Sequence, residues 1–128
     1  MNLLLDSHSL LWFLRNDSRL SKTALALITD PANHKLVSIA SCWEIAVKIR
    51  VGKLTLGEPS GTYLAREIPK NNLDLLPISL DHATAVESLP LHHRDPFDRL
   101  LVVQAISDGL TIVSADAVFD AYGIQRIW

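Results

Sequence analysis

A single cysteine, Cys42, in 128 residues excludes an internal disulfide and any zinc site built on several thiolates. No apolar run approaches the ~18 residues of a membrane-spanning helix. The opening stretch, Met1-Asn2-Leu3-Leu4-Leu5-Asp6, has no basic region and is broken by an acid, unlike a secretory leader. A basic excess is missing too: 12 Lys and Arg stand against 14 Asp and Glu, a net charge of −2 with histidine neutral. Bulk charge therefore neither favours nor excludes a nucleic-acid partner. If four of the 14 acids share one site, ten remain against 12 cations over the rest of the surface. Several enzyme signatures are absent as well. Gly52-Lys53 has Val47 where a phosphate-binding loop needs its first glycine. No Gly-x-Ser-x-Gly turn supports a serine hydrolase, and Asp6-Ser7-His8 is not an Asp-x-Asp pair.

With no repeat, linker or low-complexity tract, residues 1–128 are expected to form one domain, large enough to bury about two-thirds of its unfolded surface. A hydrophobic fraction of 48% and a charged fraction of 20% fit an ordinary globular protein, expected in the cytoplasm.

Short apolar runs alternate with helical patterns. Strands are expected at Asn2–Leu5, Leu36–Ile39, Leu75–Ile78, Leu110–Val113 and Ile124–Ile127. Between them, helices are expected at Ser7–Arg15, Ser21–Thr29, Ser41–Val51, Tyr63–Ile68, Leu80–Ser88 and Asp95–Ser107. The last is the most strongly marked: Asp95 caps it, Pro96 occupies its first turn and Gly109 closes it. Such alternation implies an α/β fold, a parallel sheet covered on both faces. In open sheets of this kind, ligands bind beyond the carboxyl ends of the strands.

Four acids fall at that edge. Asp6 follows the first strand, Glu44 starts the helix after the second, Asp98 starts the helix leading into the fourth, and Asp116 follows the fourth. Each also has an ordinary structural use. Asp6 and Asp116 can cap helical turns, Glu44 can close a capping box with Ser41 or pair with Lys48, and Asp98 can complement its helix dipole. As a group they suit a hard cation, Mg²⁺ or Mn²⁺, which takes oxygen ligands. Without it, two carboxylates ~5 Å apart repel by about 3 kcal/mol at an effective dielectric of ~20, which favours protonating one of them. Cys42, Trp12 and Trp43 are read as packing residues, and His92 and His93 as surface or structural ones.

The stretches Leu4-Leu5-Asp6-Ser7-His8-Ser9-Leu10-Leu11-Trp12, Ser41-Cys42-Trp43-Glu44-Ile45-Ala46-Val47-Lys48, Gly52-Lys53-Leu54, His93-Arg94-Asp95-Pro96-Phe97-Asp98-Arg99-Leu100-Leu101 and Val113-Ser114-Ala115-Asp116 follow one another with a spacing that resembles the PIN-domain family, and within it the VapC-like toxins. The resemblance runs over nearly the whole chain. It implies a five-stranded parallel sheet in the order 3-2-1-4-5 flanked by helices. It places Asp6, Glu44, Asp98 and Asp116 in a metal site, with Ser7 standing where threonine is more usual. Asp95 is assigned to the helix cap, and Ser114 to holding the fourth acid or a metal-bound water.

The expected activity is hydrolysis of single-stranded or loop RNA, dependent on Mg²⁺ with Mn²⁺ as substitute. Asp6, Glu44 and Asp98 would hold the cation, and Asp116 would orient water or a second metal. Ser7, Lys48, Arg50, Lys53, Arg94, Arg99 and Ser114 are the candidate substrate contacts. The expected partners are an RNA substrate, a VapB-like antitoxin and a second copy of the chain, without a membrane. The alternatives are a structure-specific DNA nuclease on the same fold, or a PIN-like module that binds without cutting.

Overall fold

A computed structural model describes all 128 residues. Five strands, β1 (Asn2–Leu5), β2 (His34–Ser38), β3 (Asp74–Leu76), β4 (Thr111–Val113) and β5 (Arg126–Ile127), form one sheet in the order β3-β2-β1-β4-β5. Every neighbouring pair is parallel, with Leu4 opposite both Leu36 and Ile112. This is the order that the resemblance implies. Six helices cover the sheet: α1 (Ser7–Leu14), α2 (Lys22–Thr29), α3 (Ile39–Arg50), α4 (Ser60–Lys70), α5 (Leu80–Ala85) and α6 (Pro96–Asp108). Short 3₁₀ turns occupy Val86–Ser88 and Ala117–Tyr122. No helix is long and apolar enough to cross a membrane.

The two faces of the sheet follow from the period of two in its strands. Leu3, Leu5, Val37 and Val113 pack with Leu10, Ile28, Ile45, Leu64 and Ile68 on one side. Leu4, Leu36 and Ile112 pack with Leu101, Val102, Ala105 and Phe119 on the other. The central strand contributes Leu3, Leu4 and Leu5, all fully buried. Each stabilises the fold by roughly 1.5–3 kcal/mol relative to an exposed side chain.

Several boundaries move from their expected places, for identifiable reasons. β2 runs straight into α3 with no intervening loop, and Ser38, not Ser41, caps the helix by accepting from the Ala40 N–H at 3.0 Å. A capping box between Ser41 and Glu44 is therefore excluded: Ser41 lies inside the helix, its buried hydroxyl without a partner. α4 extends one residue past Pro69, so the bond that its missing N–H forgoes falls at the end of the helix and not in its middle. α6 matches expectation at both ends. Asp95 accepts from the Phe97 and Asp98 N–H groups at 2.9 and 3.1 Å, and Gly109 takes the left-handed conformation at φ 66° that ends the helix. Its all-round apolar sequence is not wholly buried, because Ile106 is exposed.

Candidate active site at the carboxyl edge of the sheet

Parallel strands bring their carboxyl ends to one edge, and the helices that follow start there. Asp6 leaves β1 and is only 6% exposed. One of its oxygens, Oδ1, accepts from the Ser9 N–H at 2.8 Å and caps α1, so the structural use anticipated for it is real. The other, Oδ2, accepts from the hydroxyl of fully buried Ser114, just after β4. Ser114 Oγ in turn accepts from the Asp116 N–H at 3.0 Å. One hydroxyl thus ties the Asp6 carboxylate to the Asp116 backbone. Asp116 itself is exposed and caps the Ala117–Tyr122 turn through the Val118 N–H at 3.0 Å.

Glu44, 5% exposed, sits on α3 with Oε2 at 3.0 Å from Lys48 Nζ, one helical turn on. Its Oε1 is buried and has no hydrogen-bond partner. A buried acceptor of this kind is costly to leave unpaired, and a cation is one group that can satisfy it.

Asp98 is the meeting point. It lies in the first turn of α6, half-buried, with Oδ2 at 2.9 Å from His93 Nε2. Burial raises its pKa to about 6. The negative charges of Asp95, Glu44 and Asp6 push the same way, and the hydrogen bond from His93 opposes them. Asp98 is thus the acid on which the expected repulsion within the cluster converges, although desolvation contributes more than repulsion does. His93, Asp98 and Asp116 each offer a ligand atom, and these atoms lie within 4.8 Å of one another.

His93, read from sequence as a surface or structural residue, is partly buried in the irregular segment before α6 and bonded to Asp98. It is anchored there by its N–H, which donates to the Tyr122 hydroxyl at 2.9 Å. Its spacing of five residues before Asp98, across a helix start, is the one sequence signal that points to it.

The expected substrate contacts divide. Ser7, Lys48 and Lys53 line one cavity beside the acids. Arg50 is exposed at the end of α3, and Arg94 lines a separate concavity with Leu91 and Pro96. Arg99 donates through its guanidinium to the carbonyls of Val86, Leu89, Pro90 and His93 at 2.9–3.4 Å, which pins the segment before α6, and it lines the same concavity as Arg94. Trp43, expected to be a packing residue, is 56% exposed and touches Phe97 edge to face at 5.0 Å. Trp12 packs as expected, its ring 5.7 Å from that of Trp128, and Cys42 is half-buried at the margin of the core.

Residues 3–125 match the family model of the PIN domain. A stretch of 58 residues is 41% identical to ribonuclease VapC16 of Mycobacterium tuberculosis; it spans 45% of this chain but only 40% of that protein. Among solved structures, the fold resembles a chain of the Rickettsia felis VapBC2 complex bound to a promoter DNA fragment. There the TM-score is 0.70 at 16% identity, covering 99% of this chain and 98% of that one. It also resembles a chain of FitAcB from Neisseria gonorrhoeae, with a TM-score of 0.64 at 15% identity over 98% and 96% of the two chains.

Proposed function

This chain belongs to the PIN-domain family, and on that premise we propose that it is a metal-dependent endoribonuclease, the toxin of a VapBC-type pair acting in the cytoplasm, with residues 1–128 as one functional domain. The observation that carries the proposal is Asp98, whose carboxylate lies within 4.8 Å of ligand atoms of His93 and Asp116 and feels the charges of Glu44 and Asp6, while Ser114 bonds both Asp6 and the Asp116 backbone. The similarity to ribonuclease VapC16 and to VapBC and FitAB complexes supports the same assignment.

The donor set fits a divalent cation. It is dominated by carboxylate oxygens, which suit Mg²⁺ and Mn²⁺, and it includes the unpartnered Glu44 Oε1. Asp6, Glu44 and Asp98 would hold the ion, with Asp116 at the exposed side. When bound, the ion supplies charge stabilisation to a phosphodiester and a more acidic water. The protein's own groups prepare that chemistry. Ser114 fixes Asp6 Oδ2 and the Asp116 backbone in one arrangement. His93 Nε2 orients Asp98. Lys48 neutralises Glu44 Oε2 and leaves Oε1 uncommitted. The exposed Asp116 carboxylate would orient water or a second metal.

A homodimer and an antitoxin complete the proposal. Trp43, Val51, Leu80 and Leu91 are large apolar side chains left exposed, which a partner could cover. An antitoxin cation reaching the acid cluster would compete with the metal, which gives inhibition an electrostatic route. The direct test is to incubate purified protein with single-stranded RNA and DNA of one sequence, with Mg²⁺, Mn²⁺ or EDTA. Cleavage of RNA only with metal is expected. Preference for DNA would favour the DNA-nuclease alternative, and binding without cleavage of either would favour a non-cutting module.

A further inference from the structure

The cavity beside the acids that Ser7, Lys48 and Lys53 line has a volume of about 360 Å³. It sits between α1, the segment after it, and the far half of α3, and it adjoins the cluster at two points. Ser7 follows Asp6 directly, and Lys48 lines the cavity while its Nζ lies 3.0 Å from Glu44 Oε2. Four cations, Arg15, Arg19, Lys48 and Lys53, line it against one carboxylate, Asp17. Asp17 is already committed, with Oδ2 at 2.7 Å from Arg19 Nη2 and Oδ1 accepting from Arg19 Nε at 3.1 Å. Arg15 and Lys53 form no ion pair within 4.0 Å. Arg15 and Lys53 therefore face one concavity without a direct ion pair, Arg15 sharing with Arg19 the field of the single carboxylate Asp17, in a chain whose net charge is negative.

One wall of the cavity is aromatic. Trp12 lines it, with the His8 ring at 5.6 Å from the Trp12 ring and the Arg19 guanidinium 5.3 Å from its centroid. Unpaired cations beside an indole are the two recognition elements of a single-stranded nucleotide: charge for the phosphate, and an aromatic face for a base of any sequence. Inorganic phosphate needs no aromatic wall, and an acidic peptide gains little from one. The volume lies at the small end of ligand sites, ~300–1,000 Å³, a size for one nucleotide and not for a duplex.

We propose that this cavity is a single-nucleotide subsite for the RNA strand beside the acid cluster, with Arg15 and Lys53 binding backbone phosphate and Trp12 presenting its ring to the base. The proposal rests on the ribonuclease assignment for the identity of the ligand. Its test does not depend on cleavage.

The measurement is fluorescence anisotropy of a labelled six-nucleotide single-stranded RNA on the full chain in EDTA, over a series of salt concentrations. Each phosphate contact to a single strand contributes about −0.7 to the slope of log K against log salt. Arg15→Ala with Lys53→Ala should therefore make the slope shallower by about 1.4 and weaken binding about tenfold or more at low salt. Both side chains are exposed, so the fold should survive their loss. Trp12→Leu keeps apolar bulk but removes the ring, and should weaken binding about ten- to hundredfold. Trp12→Phe should restore most of that loss, which a merely structural role for the indole would not predict. With metal present, the double variant should raise KM and leave kcat largely unchanged. Unchanged affinity and slope in the double variant would overturn the proposal, as would tighter binding of hexaglutamate than of RNA. If wild type binds as described but hydrolyses no phosphodiester with any metal, the subsite stands and the nuclease assignment fails. If it cleaves while the variants bind and cleave like wild type, the reverse holds.

Discussion

Replacing Asp98 by asparagine should stabilise the metal-free protein, and only above a defined pH. In the folded chain the Asp98 pKa is raised from 3.8 to about 6, chiefly by burial and further by Asp95, Glu44 and Asp6. A carboxyl whose folded pKa is raised favours the fold fully below its unfolded pKa, and that contribution is lost as pH rises through the folded value. The wild-type chain in EDTA should therefore lose stability between pH 4 and about 6 through this group and regain none of it above. A rise of that size corresponds to at most about 3 kcal/mol. Water reaches part of the side chain, so about 1–2 kcal/mol is the reasonable figure. For a domain of this size that is roughly 3–8 °C in Tm. The asparagine side chain carries no charge, so Asp98→Asn should melt like wild type at pH 4 and about 3–8 °C higher at pH 8. The two proteins are compared by scanning fluorimetry in the same series of buffers. Adding Mg²⁺ at pH 8 should raise the wild-type Tm and leave the variant nearly unmoved, since only a ligand that binds the folded state stabilises it. A variant destabilised equally at both pH values would refute the claim that the cluster strains the empty site.

Because a proton on Asp98 competes with the cation, Mn²⁺ affinity measured by titration calorimetry should be level above about pH 7 and fall up to tenfold per pH unit below about 6; flat affinity from pH 5 to 8 would remove Asp98 from the ligand set. Arg99→Ala should lower stability by about 1–2 kcal/mol by freeing part-buried carbonyls, seen as a lower urea midpoint; Arg99→Lys should recover little, because an ammonium cannot span acceptors from Val86 to His93. Light scattering after size exclusion should give about twice the 14.2 kDa chain mass, and a monomer at micromolar concentration would refute the dimer.

The chain displays its sheet and its acids openly because both follow short-range rules. Asn2–Leu5 is a short, largely apolar run followed by an acid, Asp6, and a parallel buried strand needs the first and leaves the second at its carboxyl end. The Asp95-Pro96 start and Gly109 stop of α6 are local signals that local structure obeys. What stays hidden in the sequence depends on contacts between distant residues or on the absence of a loop. Ser38 and Ser41 both offer a capping hydroxyl, and only the direct passage of β2 into α3 decides between them. Arg99 reads as a surface cation until Val86, Leu89 and Pro90 turn their carbonyls toward it. His93 reads as a loop residue until α6 sets Asp98 against it. Arg15 and Trp12 look like the exposed and buried sides of an ordinary helix, and their use emerges only when Lys48 and Lys53 are brought opposite.

That these four carboxylates cut RNA through a bound cation is tested most directly by incubating a single-stranded RNA with wild type, Asp6→Asn, Glu44→Gln, Asp98→Asn and Asp116→Asn, each with Mn²⁺ or EDTA and each verified as folded by circular dichroism. Wild type should cleave with metal and not in EDTA. The variants at Asp6, Glu44 and Asp98 should lose all cleavage and the Asp116 variant most of it, with double variants little worse than the poorest single one, since such residues act as a unit. Cleavage by folded Asp98→Asn at the wild-type rate, or wild-type cleavage undiminished by EDTA, would contradict metal-dependent hydrolysis at this cluster.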